Sequence, residues 1–146
     1  MLRKNMRIYF ANDHAATKLK FSLIEYFSKE YECINLGCDS DDSVDYPDYA
    51  NKLANELKND TNAIGVIICG SGIGISIAAN RHKHIRAALC HCEDYARLAR
   101  EHNDANVISL GARFVDFELA KNLIITFINT PFLGGRHENR VKKLGQ

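Results

Sequence analysis

The run Cys69-Gly70-Ser71-Gly72-Ile73-Gly74 sets a thiol, a hydroxyl and three glycines in one turn. Glycines after an apolar run let the backbone take positive φ and turn its amides inward. A helix that follows adds its positive amino end, so the turn favours an anion. It is not a dinucleotide fingerprint, because GxGxxG needs Gly or Ala where Ile75 stands, and the P-loop Lys-Ser/Thr pair is missing. The turn either binds an anionic group or only tightens the chain. Cys69 is open to two readings as well. Most cysteines are small, buried and apolar. A thiol at the start of a helix, however, has its thiolate stabilised and can serve as a base near neutral pH. Ser71 and the glycine amides would then hold a developing oxyanion beside it.

Other candidates lie outside this turn. His102 follows Leu98 and Ala99 on the stripe expected to hold Tyr95. It reads as a core imidazole donating to a carbonyl or, near a helix end and before Asn103 and Asp104, as a site residue. Asp13 either caps the helix beginning near His14 or faces a pocket, and one carboxylate can do both. Arg136 and Arg140 are four residues apart, so a helix sets them one turn apart on one face. Arginine forks match phosphate oxygens bidentately. With His137 at a glycine-led helix start, they make a phosphate grip. The alternative is a solvated basic tail with Lys142 and Lys143.

The elements that must hold these residues alternate. Ile8 to Ala11 is a first strand, and Ala16, Leu19, Leu23 and Phe27 recur at helical spacing. Cys33 to Leu36 is a second strand, followed by a polar loop through Asp39 to Asp45. Pro47 fits the first turn of a helix on which Ala50, Leu53, Ala54 and Leu57 share a face. Ile64 to Ile68 is a continuous apolar run, as in a strand covered on both sides. Ile85 to Leu89 and Val107 to Leu110 are two more strands. A helix around Tyr95, Leu98 and Ala99 separates them. An amphipathic helix from about Val115 to Asn129 ends before Pro131, and a last one follows Gly134-Gly135. Strand and helix in alternation call for an α/β fold, a five-stranded parallel sheet with helices on both faces. Ligands then belong at the carboxyl ends of the strands.

The chain has 146 residues, enough for one domain that buries roughly two-thirds of its unfolded surface without a staple. No linker or repeat divides it. Met1 to Asn5 is expected to be a short disordered extension, and Met6 an alternative start. Nineteen basic and 18 acidic side chains leave a net charge of +1, so nothing global points to nucleic acid or an anionic membrane. Five cysteines, an odd number, form no disulfide framework. Cys90 and Cys92 are too close for a CxxC metal knuckle. A reducing, cytoplasmic setting fits. The amino-terminal stretch is not a signal peptide, and no segment is long enough to cross a bilayer.

Taken together, the segments ANDHAA (11–16), DYPDYA (45–50), IICGSGIGISIAANR (67–81), IRAAL (85–89), HNDANVISLGAR (102–113) and GGRHENRV (134–141) resemble the type B ribose-5-phosphate isomerases. That family also holds galactose-6-phosphate and allose-6-phosphate isomerases. The resemblance implies a Rossmann-like three-layer α/β/α sandwich. It implies a homodimer, with a tetramer as the alternative, and sites that draw residues from both chains. It further implies aldose–ketose interconversion of ribose 5-phosphate and ribulose 5-phosphate with no metal or other cofactor. By motif, Cys69 takes the position of the base. Some members use a glutamate at the position of Ile75, so the chain falls with the cysteine subgroup. Ser71 matches the Ser/Thr position, and His102 the ring-opening histidine, assisted by Asp13. Arg113, Arg136, His137 and Arg140 match phosphate-side positions. His14, Tyr46, Asn103, Gly70, Gly72 and Gly74 match further pocket positions. Two other readings stay open: a six-carbon sugar phosphate on the same scaffold, and a non-catalytic nucleotide- or flavin-binding module that needs neither Cys69 nor His102.

Overall fold

The apolar run Ile64–Cys69 forms strand β3, and each of its residues is buried. Helices on both faces require that, and the rest of the chain supplies them. The computed structural model describes residues 5–146, so all but Asn5 of the expected extension lies outside the described residues. In chain order the elements are β1 (Arg7–Asn12), α1 (Thr17–Phe27), β2 (Glu32–Asn35), α2 (Tyr46–Leu57), β3, α3 (Ile73–Ala79), β4 (Ala87–Leu89), α4 (Glu93–Asn103), β5 (Val107–Gly111), α5 (Phe117–Asn129) and α6 (Arg136–Lys143). The strands make one parallel sheet in the order β2-β1-β3-β5-β4.

Alternation along the strands divides the core in two. Ile8, Phe10, Val66, Ile68, Ile108 and Leu110 face one side. There they meet Leu23 and Phe27 of α1, Ala96 and Ala99 of α4, and Leu123, Ile124 and Phe127 of α5. Tyr9, Ala11, Ile67, Cys69 and Val107 face the other, against Ala50, Leu53, Ala54 and Leu57 of α2 and Ile75 and Ala79 of α3. Each large apolar side chain removed from water contributes roughly 1.5–3 kcal/mol, so these layers hold the sandwich together. The α2 stripe read from the sequence is fully buried, and Pro47 sits in the first turn of the helix.

Two boundaries and one helix face differ from the sequence reading for identifiable reasons. β4 begins at Ala87 rather than Ile85, because Ile85 N–H donates to His82 O and Arg86 N–H to Asn106 Oδ1, outside the ladder. α5 begins at Phe117 rather than Val115, because Asp116 Oδ1 accepts from Leu119 N and caps the helix. On α4 the buried face is Ala96, Ala99 and Arg100, so Tyr95 is solvent-facing and does not share a buried stripe with His102.

Candidate active site

β1 and β3 are neighbours, yet the next strands in the sheet lie on opposite sides, β2 beyond β1 and β5 beyond β3. A crevice opens where the order reverses, at the carboxyl ends. Asp13 leaves one wall and Cys69 the other, and Asp13 N–H donates to Ile68 O at 3.2 Å across them. Asp13 Oδ1 accepts from Ala15 N at 3.0 Å, so it does cap the short 3₁₀ turn His14–Ala16 before α1.

The glycine turn is organised around the sulfur. Cys69 is 5% exposed, and its Sγ accepts the Gly72 N–H at 3.2 Å. Gly72 takes φ 79°, a left-handed conformation that strains any L side chain. Its carbonyl accepts the Ser109 hydroxyl at 2.6 Å, which fixes the turn against β5. Ser71 Oγ accepts the Ile73 N–H at 3.1 Å, leaving the hydroxyl proton for another acceptor. Two side chains lean over the turn. The Arg113 backbone N–H donates to Gly70 O, and its guanidinium lies over Gly70, where a β-carbon would meet Arg113 Cζ at 2.8 Å. Tyr46 lies on Gly74, where a β-carbon would meet the phenol oxygen at 2.8 Å. His14 Nδ1 accepts the Val44 N–H at 3.1 Å. A neutral His14 therefore carries its proton on Nε2. This end of the sheet thus gathers Asp13, His14, Tyr46, Cys69, Gly70, Ser71, Gly72, Gly74 and Arg113.

The other predicted residues are elsewhere. α4 starts beyond the carboxyl end of β4 and returns to the amino end of β5, where Ala105 N–H bonds Ala99 O and Asn106 N–H bonds Arg86 O. His102 and Asn103 lie on its last turn. His102 stacks on His137 of α6, with ring centroids 4.3 Å apart and planes at 16°. Desolvation of His137 disfavours its charged form. With the positive fields of His102, Arg136 and Arg140, it holds that imidazole below its ordinary value. Among the described residues, Arg7, Arg86, Arg97 and Arg100 are ion-paired, while Arg81, Arg113, Arg136 and Arg140 are not. Cations left over in this way suit an external anion. Asn103 lines a cavity of about 350 Å³ with Asn80, His82, Arg86 and Leu144, apart from the glycine turn. Cys69 pairs with Gly111 at the far end of β5, while α4 returns to the beginning of that strand, which is roughly 13 Å long at about 3.3 Å per residue.

The remaining cysteines are free thiols. Burial pushes the Cys90 thiol up to about 12, and burial also raises Cys33. Burial thus favours the thiol over the thiolate at both.

Sequence reasoning missed the polar residues beneath the crevice. Asn12 is fully buried, as is Lys20 on the inward face of α1. Asn12 Nδ2 donates to Asp13 O at 2.8 Å and to Cys38 O at 3.0 Å. A lysine four residues after Ala16 and three before Leu23 lies on the apolar stripe, and that spacing was the available signal.

The same sequence matches the family model described as Ribose/Galactose Isomerase over residues 8–144. It is 38% identical over 139 residues to the ribose-5-phosphate isomerase B of Escherichia coli strain K12, covering 94% of this chain and 93% of that one. The solved ribose 5-phosphate isomerase B of Anaplasma phagocytophilum is 49% identical, with a TM-score of 0.91 over 97% of this chain and 98% of that one. The Mycoplasma genitalium ribose-5-phosphate isomerase B solved with bound ribulose-5-phosphate is 37% identical, with a TM-score of 0.90 over 94% and 93%.

Proposed function

Because the chain belongs to the ribose/galactose isomerase family and is a sugar phosphate isomerase, we propose that it interconverts D-ribose 5-phosphate and D-ribulose 5-phosphate, with Cys69 as the base. The observation that carries this is the seating of Cys69 Sγ on the Gly72 amide. Around it are the Ser71 hydroxyl and the Arg113 guanidinium. The Mycoplasma genitalium relative was solved with ribulose-5-phosphate bound, and that is the ketose this reaction requires.

The reaction runs as follows. His102 passes a proton between the ring oxygen and the anomeric hydroxyl, and the furanose opens to its aldehyde, with Asp13 assisting. The Cys69 thiolate takes the C2 proton. The electron pair moves to C1–C2 and the aldehyde oxygen, giving a cis-enediolate. Ser71 and the turn amides hold its oxyanion in place. The proton returns at C1, the O2 hydroxyl proton passes to O1, and the ketose is formed with atoms and electrons unchanged in number. His14 with its Nε2 proton, Tyr46 and Asn103 hold sugar hydroxyls. Arg136, His137 and Arg140 grip the phosphate, and that remote binding positions C2 at the sulfur. No metal or other cofactor takes part.

A five-carbon sugar phosphate cannot reach both ends of one sheet. The reading therefore pairs Cys69 of one chain with His102 and the arginine fork of a second copy. Ile73 and Ile77, one turn apart on α3 beside the glycine turn, are more than half exposed, at 53% and 55%, and suit burial against that copy. The test is a coupled assay across ribose 5-phosphate, allose 6-phosphate and galactose 6-phosphate, with and without chelator. The pentose phosphate should give the highest kcat/KM, unchanged by chelator. A six-carbon preference would reassign the substrate, and activity abolished by chelator would overturn the metal-free chemistry.

A further inference from the structure

Beneath the crevice an ammonium group lies where water cannot reach it. The Lys20 side chain is 0% exposed, and its Nζ donates to Asn35 Oδ1 at 3.1 Å and Cys38 O at 3.0 Å. It also pairs with the carboxylate of Asp39, whose side chain is 62% exposed. The Cys38 carbonyl also accepts Asn12 Nδ2 at 3.0 Å, so its two lone pairs are filled. The single Thr17 hydroxyl proton goes to Ser40 O at 2.8 Å, and Cys38 N–H donates to Asn12 O at 3.1 Å. The loop after β2 is fastened at these two carbonyls. The loop so fastened runs on to Val44, whose N–H occupies His14 Nδ1, and to Tyr46, which covers Gly74.

We propose that Lys20 is a positioning residue of the substrate site, whose buried ammonium anchors the 36–45 loop and through it sets the tautomer of His14 and the seat of Tyr46. The proposal rests on the reading above that His14 and Tyr46 contact the sugar phosphate. A role confined to stability fits the geometry poorly. Burying an ammonium against a solvated carboxylate carries a desolvation cost, and because Asp39 is exposed, replacing Lys20 leaves its charge in water and not buried unpaired. Its partners would also stay satisfied without it. Cys38 O keeps Asn12, Asn35 Oδ1 keeps the Gly37 N–H, and Asp39 keeps Asn35 and water. What the chain would lose is the anchoring of the loop by a charge.

The test compares Lys20→Met with the parent chain by thermal melting, by steady-state kinetics on ribose 5-phosphate and by ¹⁵N NMR of the histidine rings. Lys20→Met should stay folded and raise KM about tenfold, while kcat changes by less than about threefold. The His14 ring should pass from the single Nε2–H form to a mixture of tautomers. A folded Lys20→Met chain with unchanged KM and an unchanged His14 signature would overturn the proposal. Should that variant fail to fold, Asp39→Asn, at an exposed position, is read in the same way. It should give a smaller rise in KM and a partial tautomer shift, and no change in either would overturn the proposal. The NMR readout needs no turnover, so a chain inactive on ribose 5-phosphate would refute the substrate assignment and leave the test of the loop intact.

Discussion

The two ends of the sheet carry opposite kinds of chemistry, held by opposite means. At the carboxyl end, Cys69, Ser71 and Arg113 are fixed by backbone: a left-handed glycine, a ladder of turn amides and the Ser109 clamp on Gly72. At the amino end, His102, Arg136, His137 and Arg140 project from helix ends, and a ring stack between the two histidines joins α4 to α6. The first end suits a base and an oxyanion, which need donors placed in advance. The second suits a phosphate, which tolerates flexible forks and gains from unpaired charge. Neither end holds all the groups the proposed reaction needs, so in that reading the chain carries two halves of a site.

The sharpest break of that contrast removes one half at a time. Cys69→Ala should bind sugar phosphate yet lose roughly 10²–10⁴-fold in kcat, the usual worth of a general base. His102→Asn should lose a similar factor at the ring-opening step. If the halves come from two copies, mixing these two inactive chains restores one complete site in each mixed dimer, and about a quarter of the parent activity returns with random pairing. Full activity in Cys69→Ala would remove the assigned base. No recovery on mixing would return both halves to a single chain.

A milder perturbation separates binding from chemistry. Replacing Arg136 and Arg140 together by Ala should raise KM by roughly 10–100-fold, since each charged hydrogen bond is worth about 1.5–3 kcal/mol, partly offset by solvent. The kcat should change much less. A KM that stays put would show that the amino-end cations serve something other than the phosphate.

The smallest effect comes from a buried thiol just after β4 that has no part in the proposed chemistry, and it serves as a control. Folding holds the Cys90 thiol protonated up to about 12, whereas an unfolded cysteine ionises near 8.5. Between those values the unfolded chain binds fewer protons than the folded one. Stability must therefore fall as pH rises through that window, by on the order of 1.4 kcal/mol per pH unit at most. Tyr9, raised to about 12 by burial and by Asp60, adds to the loss above 10. Cys90→Ala should flatten the melting-temperature drop between about pH 8 and pH 10 while leaving turnover unchanged. An unaltered slope would mean that other groups govern alkaline unfolding.

The parallel sheet, its covering helices and the glycine turn were legible because each follows from local pattern: strands alternating with helical stripes, an unbroken apolar run, glycines after it. For Cys69, His102 and Arg113 spacing alone left the roles open, and those come only as what the family resemblance implies. What spacing could not show was which end of the sheet each motif reaches. His102 is close in sequence to β5 but belongs to its beginning, and Cys69 pairs with its final residue. Direction along a sheet is a tertiary property, invisible to a scan for residue types. Lys20 escaped for a related reason. A lysine on an apolar stripe is assigned to solvent by its charge, and only the loop from 36 to 45, folded over it, makes the burial tolerable.

The length of β5 has a kinetic corollary. With the thiol beside the end of this strand and the imidazole near its beginning, the proposed reading makes a lone chain inert toward sugars when newly made. Catalytic power would arise only on association, and specific activity would fall on dilution towards the dissociation constant of the pair. Unassembled chains could then neither consume nor scramble the metabolite pool.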